Sequence, residues 1–139
     1  MKKYKLKNKK KITRKHIVAI FDWCKTNLGE SNFFCIKSLR IRVSNNMKRF
    51  IGVFDIQKNC IYVKPKAIAD EYDLIATIIH EYVHFQQDYD EYERIELQLP
   101  RRRNYFDHPH EKEAESKAQS LKRKCFNDLQ GKFGWRIQK

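Results

Sequence analysis

The chain has 139 residues, 41% hydrophobic and 13% aromatic, which supplies one modest core and excludes both a disordered chain and a two-domain one. Its formal net charge is +13, and nine of the positive charges, eight Lys and Arg14, fall in residues 1–15 with no acid among them. The four cysteines lack CxxC spacing, the charged N-terminus precedes no apolar segment, and no apolar run reaches bilayer length, so a reduced cytoplasmic protein without signal peptide, disulfides or membrane span is expected.

In chain order, residues 1–15 read as a basic flexible arm, either a solvated tail or a contact for nucleic acid or another anionic surface. Thr13 is placed to cap a helix running to about Leu28, with Ile17, Ile20, Phe21, Cys24 and Leu28 on one face and Gly29 as its stop. Leu39–Val43 alternates with period two, as a half-exposed strand does. Phe50–Phe54 and Cys60–Val63 predict two more strands, with Gln57-Lys58-Asn59 turning a hairpin between them and Pro65 ending the second. A helix over Asp70–Asp88 follows, opened by acids and dense in apolar residues. Residues 88–110 begin with an acidic stretch that admits a short helix and swing to Arg101-Arg102-Arg103. A last helix spans His110 to Leu129, striped by Ala114, Ala118, Leu121, Cys125 and Leu129, and Gly131 and Gly134 loosen its end. The pattern predicts an α+β fold: an N-terminal helix, a small mostly antiparallel three-stranded sheet, and two packed helices. One domain over 16–130 would lie between the arm and a 131–139 tail.

The chemistry concentrates at His80-Glu81-Tyr82-Val83-His84, an HExxH pattern. On a helix, residues i and i+4 lie roughly 6 Å apart along the axis on nearly the same face, so two neutral imidazoles reach one tetrahedral cation without distorting the backbone. Glu81 then stands beside the metal, free to take a proton from water. A catalytic zinc site needs a third protein ligand. Asp90 has the spacing used where a glycine breaks the helix, but position 87 is Gln. His108 and His110 flank Pro109 in a loop able to fold over the site, His110 ahead of His108. Glu111 is preferred: with Ala114, Glu115 and Ala118 it falls on the inner stripe, and the small residues allow the close approach that a short carboxylate requires. Glu115, a turn further on, is placed to accept the outward N–H of a ligand histidine.

His80-Glu81-x-x-His84 followed by Glu111-x-x-Ala114-Glu115 resembles the gluzincin metallopeptidases, and in size and element order the chain is similar to minimal single-domain gluzincins and to compact zinc-peptidase-like proteins of phage genomes. The resemblance covers roughly residues 38–126. It implies one zinc per chain held by His80, His84 and Glu111, with Glu81 as general base and Glu115 behind a ligand. Hydrolysis of a peptide or protein substrate is the implied activity, on a chain segment laid along the sheet edge, either Phe50–Phe54 or Cys60–Val63. Tyr105, His108, His110 and Arg101–Arg103 are the candidate donors to a developing oxyanion. Two other classes fit the same residues. One is a nucleic-acid-associated zinc protein, SprT-like, using the basic arm and Arg101–Arg103. The other is a catalytically silent zinc-binding interaction module.

Overall fold

The structure, a computed structural model, describes residues 12–134; most of the basic arm (1–11) and the end of the C-terminal tail (135–139) lie outside the described residues. Helix α1 spans Arg14–Asn27. Its N-cap Thr13 donates its backbone N–H to the His16 ring at 3.2 Å, and Gly29 closes it in a left-handed conformation at φ 81°, which glycine adopts without cost. Strands β1 (Arg40–Val43), β2 (Gly52–Asp55) and β3 (Cys60–Val63) follow, then helices α2 (Glu71–Gln86), α3 (Tyr89–Gln98) and α4 (Pro109–Phe133). The α+β fold expected from the pattern is the one observed.

The sheet is mixed, in the order β1-β3-β2. β2 and β3 form the antiparallel hairpin, whose turn is held by Asp55 Oδ1 accepting the Gln57 and Lys58 amides at 2.9 and 3.1 Å. β1 pairs with β3 in parallel, where a mostly antiparallel sheet was expected. The cause is the 44–51 segment, which carries the chain from β1 to the far edge before the hairpin folds β3 back between the two. β3 therefore spends its backbone groups on both neighbours, and Cys60–Val63 is no edge. The open edges are β1 and β2. β2 begins at Gly52, not Phe50; Phe50 and Ile51 are exposed, although the Ile51 carbonyl still accepts the Lys64 amide at 2.8 Å.

Register partners share a face. Ile41, Ile61 and Phe54 line up across the strands and are all buried against the helices. The central helix is α2, buried from Leu74 through Phe85 on most of its circumference. Asp70 caps it by accepting the Asp73 amide at 2.8 Å, and Asp73 accepts the Ala69 amide at 3.0 Å in return; such a cap contributes about 1 kcal/mol. Against α2 lies α4, whose Ala114 and Ala118 are fully buried and leave no side-chain bulk to hold the two axes apart. Trp23 of α1 donates its indole N–H to Asp128 of α4 at 2.8 Å, and Tyr72 of α2 stacks on Phe126 at 4.6 Å. α4 continues past its expected end at Leu129, through Gly131 to Phe133, and stops at Gly134 in the left-handed conformation. The short helix admitted in the acidic stretch is α3, capped by Asp88, which accepts the Asp90 and Glu91 amides.

Candidate metal centre

His80 and His84 face the same way from the middle of α2, as the one-turn spacing requires. The first turn of α4 brings Glu111 against them. His80 Nε2 lies 3.1 Å and His84 Nε2 2.9 Å from the same carboxylate atom, Glu111 Oε1, and one ligand atom from each of the three residues lies within 4.8 Å of the others. His80 and Glu111 are buried and His84 is half-buried. These three residues could hold a metal ion.

The outer ring nitrogens test that fit. His80 Nδ1 is 3.1 Å from Glu115 Oε1, and a carboxylate can only accept. His84 Nδ1 is 2.6 Å from Gln87 Oε1. The orientation of that amide is fixed by its other end, where Nε2 donates to the His110 carbonyl at 2.9 Å and to Glu113 Oε1 at 2.7 Å. Both Nδ1 atoms are therefore donors. In the neutral rings both Nε2 lone pairs then point at a carboxylate oxygen, a convergence of three acceptors that is reconciled either by protons on the rings or by a metal cation held between them. A tetrahedral ion with bonds of about 2.0–2.2 Å sets its ligand atoms roughly 3.4 Å apart, close to the two histidine–Glu111 spacings. The residues fit a metal of the imidazole- and carboxylate-binding kind.

The surrounding groups act on the same point. Tyr92 of α3 donates to Glu111 Oε2 at 2.6 Å, and Tyr105, in the 3-10 turn Tyr105–Asp107, donates to Glu111 Oε1. Burial pushes the Glu111 carboxyl up, but the His80 and His84 rings and Tyr105 outweigh it and hold it well below the usual carboxylate range. Burial lowers His80 and His84, yet the Glu111 hydrogen bond and the Glu81 and Glu111 charges leave both raised. Burial raises the Glu81 carboxyl, against the two histidines that lower it. Glu81 lines the same cleft as His84 and Glu111, a space of about 620 Å³ whose opposite wall is β2 with Phe50 and Ile56.

The other candidates are placed elsewhere. His108 caps α4 by accepting the His110 amide at 3.1 Å, and its other nitrogen donates to the Tyr92 carbonyl at 2.9 Å. His110 turns its Nε2 to Glu91 Oε1 at 2.7 Å. Neither imidazole is directed at the His80–His84 pair, and Asp90 sits exposed in the first turn of α3. Arg101 and Arg103 border the cleft, Arg103 paired with Glu96, while Arg102 is exposed away from it. Of the candidate donors, only Tyr105 reaches the ligand cluster. Tyr92 and Gln87, which the motif reading did not select, both touch it. Gln87 adjoins the motif and is buried, a polar residue at a helix end with that much burial being the one signal that marks it. No family model, curated protein or solved structure matches the chain, so the chemistry of the site has to be argued from its geometry.

Proposed function

We propose that this protein is a zinc-dependent peptidase. The observation that carries the reading is the convergence of the His80 and His84 Nε2 atoms and the Glu111 carboxylate beside an open cleft that Glu81 also lines. Zinc suits the donor set, and when bound it supplies Lewis acidity to a water and to the substrate carbonyl. Glu81 takes the proton released by the attacking water and returns it to the leaving amine. Burial raises its carboxyl in the metal-free protein, the direction that favours accepting a proton. Tyr105 is the candidate donor nearest the ligands, and its hydroxyl, which donates to Glu111 in the structure, would turn from Glu111 to the oxyanion that forms at the carbonyl; His108 and His110 hold the Tyr92 carbonyl and Glu91 instead.

β2 supplies the track for the substrate. It is the sheet edge on the cleft, and an extended peptide added there would hydrogen-bond to backbone groups that β2 does not share with β3; the Phe54 backbone on that strand already bonds to Glu81. Gly52 supports this placement. A Cβ at that position would stand 2.6 Å from Thr77 Cγ2 and 3.4 Å from Glu81 Cγ, so the edge is drawn against the helix that carries the base. Glu81→Gln keeps the shape of the side chain and removes the base. The variant is expected to bind zinc as wild type does while hydrolysis of a mixed peptide library falls by about 10²–10⁴-fold. A variant that hydrolyses like wild type would place the base elsewhere.

A further inference from the structure

The net charge is divided unevenly between the two halves of the chain. Among the described residues, 12–66, which build α1 and the sheet, hold 11 Lys and Arg against three acids, while 67–134 hold 10 against 14. The metal cleft belongs largely to the second half. The excess positive charge therefore collects on the α1 and sheet side.

There the outer face of the sheet carries Arg40 and Arg42 of β1, Cys60 and Tyr62 of β3 and Val53 and Asp55 of β2, as the register dictates, with Cys60 fully buried at one end and the Arg42–Tyr62 end open. Both arginines are exposed and Tyr62 is half-buried. Tyr62 pairs directly with Arg42, and Lys58 stands 6.0 Å above its ring. Around the β1 edge, a groove of about 330 Å³ runs between the strand and α1, lined by Arg14, Lys25, Arg40 and Arg42 over an apolar floor of Val18 and Phe21. Asp22 also lines the groove and pairs with Lys25 at 3.4 Å, which leaves Arg14, Arg40 and Arg42 to carry its positive charge, while Asp55 accepts the turn amides. Seven lysines of residues 1–11 precede Arg14 in the sequence.

We propose that this face binds single-stranded nucleic acid, with Arg14, Arg40 and Arg42 on the phosphates and a base stacked on Tyr62. Arg40 and Arg42 are two residues apart on a strand, about 6.6 Å, a step that successive phosphates of an extended strand can match. An aromatic ring set among cations on a sheet face is the arrangement that takes unpaired bases without sequence preference. A duplex keeps its bases stacked on one another and leaves Tyr62 idle. The proposal is independent of the peptidase reading, since none of these residues touches His80, Glu81, His84 or Glu111.

The test is fluorescence anisotropy of the full chain with a labelled 20-nucleotide oligothymidylate across a salt series. Wild type should bind with steep salt dependence, and Arg40→Gln with Arg42→Gln should reduce the slope of log K against log salt by about 1.4, for two phosphates of a single strand. Tyr62→Ala should weaken binding about tenfold or more and Tyr62→Phe should not, with circular dichroism and zinc content unchanged in all variants. The proposal fails if these variants bind as wild type does, which would leave the lysine run alone responsible. It fails equally if a duplex of the same sequence, polyglutamate or phosphatidylserine vesicles bind as tightly as the oligonucleotide and ignore Tyr62→Ala.

Discussion

Gln87→Met tests how the metal centre is held together. The change keeps the length and volume of the side chain and removes its amide, which makes three hydrogen bonds in the structure, to His84 Nδ1, the His110 carbonyl and Glu113. The first fixes the tautomer and ring plane of His84, and loss of such an outer partner lowers metal affinity by about 10–100-fold, roughly 1.4–2.7 kcal/mol. The other two tie the end of α2 to the start of α4. Leaving the buried His110 carbonyl without its donor costs about 1–3 kcal/mol of fold stability. Two measurements separate the effects: competition with a chromophoric chelator for zinc affinity, and urea unfolding of the metal-free protein for stability. Nitrogen NMR of the wild type should show His84 protonated on Nδ1 when zinc is bound. Affinity within twofold of wild type in a folded Gln87→Met protein would refute the idea that this amide orients the ligand.

Gly52→Ala should destabilise the fold by about 1–3 kcal/mol, because the new methyl meets Thr77 Cγ2. Thr77→Ser removes that methyl while keeping the hydroxyl that donates to the Asp73 carbonyl. The double variant should therefore recover most of the loss in urea unfolding; no recovery would mean that the strand is not pressed against α2 at this point. The pH response should reverse on metal binding. In the metal-free protein the raised His80 and His84 contribute stability that is fully present below about pH 6.5, their unfolded value, and that is lost as pH rises through the folded values. Zinc needs both rings neutral, so its added stabilisation grows over the same window. Thermal melts between pH 6 and 8 should converge for the two forms at the acid end and separate at the alkaline end; parallel curves would contradict the assignment of these rings as ligands.

What could be read in advance followed the range of the interactions involved. The HExxH face, the Asp70 cap and the Gly29 stop are set within one or two helical turns, where spacing and residue type decide. Glu111 could be reached from a distance because Ala114 and Ala118 marked the face of α4 that α2 approaches. Tyr92 could not. None of α3 is fully buried, so no apolar stripe distinguishes the side that meets the metal centre. The parallel β1–β3 pairing was equally hidden, because alternation tells which face of a strand is apolar and says nothing about its neighbour. Phe50 and Ile51 read as strand core from their hydrophobicity, yet Phe50 borders the cleft. The net charge misled in a similar way: outside the basic arm it falls to a modest +4, a figure that averages a basic sheet half with a slightly acidic helical half.

X-ray absorption at the zinc edge of protein loaded with one equivalent tests the central claim most directly. The account predicts a single tightly held ion with two imidazole nitrogens and a carboxylate oxygen at about 2.0–2.2 Å, and loss of one imidazole from that shell in His84→Ala. A spectrum with no imidazole scattering, or one unchanged by His84→Ala, would contradict it.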